Sequence, residues 1–417
     1  MRTGDHDRLS LSKFEAHRLY RRRVRVRVAI AVGFVALCAM NPASAAPVAV
    51  PPPAPTPTDS GSSPMVPDPH PPLGGLAPDG STVGGARLRS RGVVKPAGTK
   101  PLPTSLTAQS WILVDLDNGD VLAARDPHGR YQPASILKLL TTVTLLPRLP
   151  GKQTVTISRP AALAEGSRAG LVWRGRYTVD ELFSALLLVS GNDAADALAD
   201  AGGGYAQTVK LMNETALKLG AYDTYVQTPS GLDGWQQLTS AYDMALVLRA
   251  AVGMPRFLDY DRQKTATLPW QRVNGYGPVT LENQSLQFLT TVRGALVAKS
   301  GYTDAAQHTF VAAMQHGNRR LGVVFLRGQR WPTDHWQQAV DLMNWGFGLP
   351  AATPPVGHLT APDAAARAAA PLLPSPVAAH PTVAKSAQST PTALYGSVVA
   401  LLLVAAGGTV WRVRARR

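Results

Sequence analysis

The 417 residues carry a formal net charge of +15, a sequence pI near 10.2 and a single cysteine. Such basicity invites a nucleic-acid reading, but the excess lies at the ends, +6 within residues 1–45 and +4 within residues 412–417. The +5 left between them is ordinary, so no nucleic-acid partner is expected, and Cys38 alone excludes a disulfide framework.

A dense basic stretch, residues 18–27, leads into 13 apolar residues, 28–40, and then Ala43-Ser44-Ala45. Basic, short apolar, small-x-small is the order of a secretory signal peptide, and a spanning helix needs about 20 apolar residues. Residues 1–45 are therefore predicted to be a signal peptide that takes Cys38 with it. Leu37, rather than a small residue, precedes that cysteine, which argues against lipid attachment. Residues 46–104 are rich in Pro, Gly, Ser and Ala without a period of 2 or 3.6, and are expected to be disordered.

Residues 105–349 read as one folded catalytic body. Residues 110–115 and 121–124 are apolar runs around Asn118-Gly119, the signal of a β-hairpin whose turn takes positive φ. A helix is predicted from Ala134 or Ser135 to about Leu146, since Pro133 cannot continue it backwards and Pro147 stops it. A short strand at 155–158 precedes helices at 179–188, 193–200, 211–219 and 240–251. Strands return at 295–299, 309–314 and 321–326, and an amphipathic helix at 334–345 closes the body. Strands at both ends with helices between imply an α+β fold: an antiparallel β-sheet packed with helices and joined to a helical subdomain, with a cleft at the seam. Beyond it, residues 350–392 read as an Ala/Pro-rich linker, 393–411 as a transmembrane helix and 412–417 as a cytoplasmic basic tail. A helix over 393–410 would be roughly 27 Å long, close to the hydrocarbon thickness of a bilayer. The predicted protein is exported to the extracytoplasmic face of the membrane, in the cell wall, on one C-terminal anchor.

Within the body, Ser135 and Lys138 are three residues apart on a helix and would lie side by side, so the amine could take the serine's proton. The spacing alone is weak, because Ser10 and Lys13 repeat it. Two later motifs strengthen it. Ser190-Gly191-Asn192 falls in a helix break, and Lys299-Ser300-Gly301 follows an apolar strand, where glycine lets a ligand backbone come close. That set, in that order, matches penicillin-recognising acyl-serine enzymes.

The chain resembles the secreted serine-type D-alanyl-D-alanine carboxypeptidases, low-molecular-mass penicillin-binding proteins with a β-lactamase/transpeptidase-like fold. The likeness covers about residues 107–348. It rests on Pro133-Ala134-Ser135, residues 190–195, Thr228-Pro229-Ser230-Gly231-Leu232-Asp233-Gly234 and Lys299-Ser300-Gly301-Tyr302-Thr303. Ser300 stands where the family usually has threonine, and no folded second domain is expected after the body. The resemblance implies removal of the terminal D-alanine from peptidoglycan stem peptides ending in D-Ala-D-Ala, with β-lactams as covalent inhibitors and no metal or cofactor.

In that scheme Ser135 attacks, Lys138 is the base, and Ser190 passes the proton to the departing amine. Asn192 holds the lysine and the substrate amide, while Lys299 and Ser300 bind the substrate carboxylate next to Gly301. The resemblance implies an oxyanion hole from the backbone N–H groups of Ser135 and Tyr302. A free lysine titrates near ~10.4, so Lys138 must be made neutral by burial and by Lys299. Asp193 reads as a helix cap, His308 and His316 as strand residues, and Trp331, Trp336 and Trp345 as core and rim of the last helix rather than a sugar platform. Alternatives are a β-lactamase, for which Glu214 is the best extra base, a D,D-transpeptidase, or a non-catalytic wall-binding protein.

Overall fold

The computed structural model describes residues 74–269 and 277–360. The frame is a seven-stranded antiparallel sheet. Across it run β1 (Val93–Val94), β3 (Asp120–Arg125), β2 (Ser110–Asp115), β10 (Arg319–Gly328), β9 (Gln307–His316) and β8 (Ala295–Thr303). A last strand, β11 (Gly357–His358), joins β3 beside β1. The helices in chain order are α1 (Lys138–Leu145), α2 (Arg159–Ala162), α3 (Val179–Leu188), α4 (Asn192–Ala201), α5 (Tyr205–Leu219), α6 (Ala241–Val252), α7 (Pro255–Asp261), α8 (Leu286–Thr291) and α9 (His335–Phe347).

Both faces of the sheet are covered, which is why β2 reads as an unbroken apolar run. Trp111, Leu113, Phe310 and Phe325 share one core with Leu342 and Met343 of α9. Ile112, Val114, Val311 and Val324 face the other way, into a larger core with Leu139, Leu186 and Leu248 of the helical half. Burying each such side chain contributes about 1.5–3 kcal/mol before chain entropy is counted. The α+β reading, a sheet joined to a helical half, describes the molecule.

The hairpin is present where expected, with four residues between β2 and β3. Gly119 N–H closes this loop on the Asp115 carbonyl at 2.9 Å, and Gly119 alone in it takes positive φ, at 86°. Unforeseen were α7 and the hairpin of β6 (Thr265–Leu268) and β7 (Val279–Glu282), which are short and carry no clean period.

The body is also longer than 105–349. Within the stretch expected to be disordered, residues 74–104 pack on it: Leu88 is fully buried, β1 pairs with β3, and Gly75 N–H donates to Asp223 Oδ1 at 2.9 Å. At the other end, residues 350–360 return from the predicted linker to form β11, with Val356 and Leu359 buried. Proline and glycine composition hid both arms, because two-residue strands need no periodic pattern. The predicted signal peptide (1–45), the transmembrane segment (393–411) and the basic tail (412–417) lie outside the described residues. Among the described residues, no helix is long and apolar enough to cross a membrane.

Candidate active site

Ser135 does not sit inside an α-helix. Ala134 adopts φ 48°, and residues Ala134–Leu137 form a 3₁₀ turn that runs into α1 at Lys138. In a 3₁₀ turn residues i and i+3 eclipse one another, so the pair lies closer than α-helical spacing implies. Lys138 Nζ is 3.0 Å from Ser135 Oγ. The same amine donates to Asn192 Oδ1 at 2.7 Å and to the Ser230 carbonyl at 2.5 Å. Asn192 is oriented unambiguously, because its Nδ2 donates to the Glu165 carbonyl at 2.6 Å. Two acceptor-only partners consume the two hydrogens of a neutral amine, which leaves its lone pair for the serine hydroxyl.

Electrostatics favour that neutral form. Lys138 is completely buried, and burial first and the Lys299 cation second push its pKa well below the ordinary lysine value, against the pull of Asp196 and Asp193. Lys299 is buried too and is lowered to about 8, with Asp261 opposing the shift. Asp261 itself is raised to about 7 by burial.

The segment 228–234 closes the site from one side. Thr141 Oγ1 donates to the Pro229 carbonyl at 2.6 Å, and Gly231, at φ 85°, lies so close that a Cβ there would stand 2.0 Å from the Ala134 carbonyl oxygen. The strand side closes through Thr309 Oγ1, which donates to the Pro133 carbonyl at 2.9 Å. A Cβ on Gly301 would stand 2.7 Å from Ser135 N, so glycine is what lets β8 approach Ser135. Ser190 occupies the left-handed turn between α3 and α4 at φ 58°, and its buried hydroxyl has no hydrogen-bond partner among the described residues.

The third motif divides across the sheet. Directly paired residues share a face, so Lys299 and Gly301, opposite Val311 and Thr309, look toward the helical half. Ser300 and Tyr302, opposite Phe310 and His308, look away. The Ser300 side borders a cavity of about 300 Å³ with Phe310, Arg330 and His335. Lys299 and Ser300 thus lie on opposite faces of the sheet, with the edge of β8 between them. That edge is the outer margin of the sheet. Ala298 uses it to accept from Ser285 Oγ at 2.8 Å and to donate to Asp261 Oδ2 at 3.3 Å, and the Ser300 carbonyl accepts from Lys299 Nζ at 2.7 Å. Alternate residues of an antiparallel strand point their backbone groups to the same edge, which turns the Tyr302 N–H outward beside Ser135.

Other candidates fall elsewhere. Asp193 is not an N-cap; its carboxylate accepts from the N–H groups of Ala169, Gly170 and Leu171 at 2.9–3.0 Å and pins that loop. His308 lies against Tyr302, ring centroids 4.7 Å apart, and His316 against Phe347 at 4.0 Å. Glu214 faces Lys210 on α5 at 3.9 Å. Trp345 Nε1 donates to the Lys100 carbonyl at 3.1 Å, whereas Trp331 is not core at all and is 83% exposed. Sequence reasoning missed the backbone acceptors at Ser230 and Glu165 and the Asp261 carboxylate. Only the Thr-Pro-Ser-Gly run hinted at the first.

A serine hydroxyl 3.0 Å from a buried lysine amine, at the seam between an antiparallel sheet and a helical half, is the arrangement expected of the penicillin-binding class of acyl-serine enzymes. Residues 97–329 match the family model described as Peptidase S11, D-alanyl-D-alanine carboxypeptidase, and the chain belongs to that family. It is similar to the D-alanyl-D-alanine carboxypeptidase DacB2 of Mycobacterium tuberculosis, 40% identical over 261 residues that cover 61% of this chain and 87% of the relative. DacD of Salmonella typhimurium is 33% identical, covering 59% of this chain and 64% of the relative. Among solved structures, a D-alanyl-D-alanine carboxypeptidase of M. tuberculosis superposes with a TM-score of 0.60 at 39% identity, covering 64% of this chain and 99% of that one. A mutant of the Streptomyces K15 DD-transpeptidase, at 23% identity and TM-score 0.55, covers 60% of this chain and all of its own; that likeness shows the fold alone. The enzyme is a serine peptidase that acts on peptidoglycan D-Ala-D-Ala termini and binds β-lactams.

Proposed function

We propose that Ser135 carries the acyl-enzyme by which this carboxypeptidase releases terminal D-alanine, with Lys138 as the base. The observation that carries the assignment is the buried Lys138 amine, which donates to Asn192 and Ser230 and lies 3.0 Å from the serine oxygen. In the first step Ser135 Oγ bonds to the carbonyl carbon of the penultimate D-alanine as its proton passes to Lys138 Nζ. The carbon–nitrogen bond then breaks, and the departing D-alanine amine takes a proton handed on through Ser190, whose hydroxyl is otherwise unpartnered. Water attacks the ester with the lysine again as base, which restores the free serine. The N–H groups of Ser135 and Tyr302 would hold the oxyanion. Lys299, with Ser300 at the strand edge by Gly301, would receive the substrate carboxylate. Asn192 has one amide hydrogen left for the substrate after binding Glu165.

The purified protein should be labelled by a fluorescent penicillin and should release D-alanine from a peptide ending in Lys-D-Ala-D-Ala. Ser135→Ala should abolish both while keeping the melting temperature. Rapid turnover of the penicillin would instead indicate a β-lactamase, and transfer to an added amine in place of hydrolysis a transpeptidase. An absence of label would leave the wall-binding reading. We also propose that residues 393–411 anchor the body at the extracytoplasmic face, supported by their apolar composition and the arginines at 412, 414, 416 and 417. Truncation after residue 392 should move the enzyme from the membrane fraction to the soluble one; retention on the membrane would refute the anchor.

A further inference from the structure

We infer that the rim around the β8–β9 turn is a sugar-binding surface that seats the glycan strand from which the stem peptide hangs. The inference rests on the proposed function for one thing, the direction in which substrate lies. If the substrate carboxylate is at Lys299 and Ser300 and the scissile carbonyl at the Tyr302 N–H, the peptide runs along β8 from residue 299 toward 303. Its upstream residues continue past Thr303 to the turn. Three further residues in extended form reach roughly 10 Å beyond the scissile bond. The sugar end of the substrate therefore emerges where β8 meets β9.

Three of the most exposed aromatic side chains of the described residues stand there: Trp331 at 83%, Trp235 at 79% and Tyr302 at 55%. Each is tied to the turn. Thr303 Oγ1 donates to Asp233 Oδ1 at 2.6 Å, two residues before Trp235. Gln329 Nε2 donates to Gln307 Oε1 at 3.0 Å, two residues before Trp331. The Tyr302 ring is held against His308. Isolated exposed apolar residues need no explanation, but aromatic rings brought to one rim by separate segments do. Their flat apolar faces and polar edges complement the C–H face and hydroxyls of a pyranose ring.

The test compares two substrates on the full chain: the free Lys-D-Ala-D-Ala peptide, and uncrosslinked glycan strands that carry pentapeptides. For Trp235→Ala with Trp331→Ala, KM on the strands should rise about tenfold while KM on the free peptide stays within about twofold, and Trp→Tyr should restore much of the difference. Equal losses on both substrates, or an unchanged KM on the strands, overturn the inference. A wild-type dimer that dissociates in the variant overturns it as well, by giving the rim to a second copy of the chain. Absence of D-alanine release by the wild type on either substrate would defeat the proposed function instead. Tryptophan quenching by peptide-free strands would then still decide the surface: quenching supports it, and its absence overturns it.

Discussion

A lysine sealed from water loses the hydration that normally keeps it charged, and Lys138 has no carboxylate within hydrogen-bond range to replace it. As the proposed base it must act in its neutral form, so kcat/KM should fall as pH drops through its lowered pKa. In the proposed scheme Lys299 has the opposite requirement, because it must be a cation to hold a carboxylate, and burial lowers its pKa to about 8. The expected pH profile is a bell whose alkaline limb lies near 8. Lys299→Arg should move that limb out of the measurable range, since arginine stays charged; an unmoved limb would assign it to another group. Lys138→Met should lower D-alanine release by about 10²–10⁴-fold, the usual contribution of a general base. Its effect on the melting temperature should be small, because relief of the amine's burial is set against the donor that Asn192 Oδ1 and the Ser230 carbonyl lose. Ser135 and Lys138 were legible because three-residue spacing is local. The Ser230 carbonyl that completes the lysine's environment lies 92 residues away in sequence, and a backbone acceptor has no letter of its own.

Among the elements, β8 and the Ala134–Leu137 turn must meet at van der Waals contact, and Gly301 makes room. In Gly301→Ala the new Cβ would stand 2.5 Å from Thr309 Oγ1 and 2.7 Å from Ser135 N, so the strand or the nucleophile must move. Acylation by penicillin should slow about 100-fold, the scale expected of a displacement near 1 Å, with a stability loss of about 1–3 kcal/mol from the overpacking. Asp193→Ala should show the reverse pattern in part: it strands the N–H groups of Ala169, Gly170 and Leu171 and should cost roughly 3 kcal/mol or more in urea unfolding. The expectation of a cap at Asp193 followed from its place at a helix start; its partners, more than 20 residues earlier, were invisible. Long periodic segments such as α3 were legible to the residue. β6, β7 and α7 were not, because four to seven residues without a period do not separate strand from helix or loop.

At the scale of the described body, the two margins of the sheet differ. The two arms around the body, 74–94 and 356–360, pair with the same strand, β3, and meet where His358 N–H donates to the Gly84 carbonyl at 2.9 Å. β8 forms the far margin and pairs with β9 alone, the edge at which the proposed mechanism seats an extended peptide. Removing residues before 96 should uncover half of the β3 edge and the pocket that buries Leu88. The expected result is a melting temperature lower by at least about 5 °C and concentration-dependent light scattering; a truncated protein as stable and monodisperse as the intact one would refute the role of the arm. The attachment of both arms also bears on where a pull along the chain is first felt. Tension from either direction meets the bonds of Gly74 and Gly75 to His128 and Asp223, those of His358 and Thr360 to Tyr242, and the β1 and β11 ladders on β3. None of these bonds runs to Ser135, Lys138 or β8.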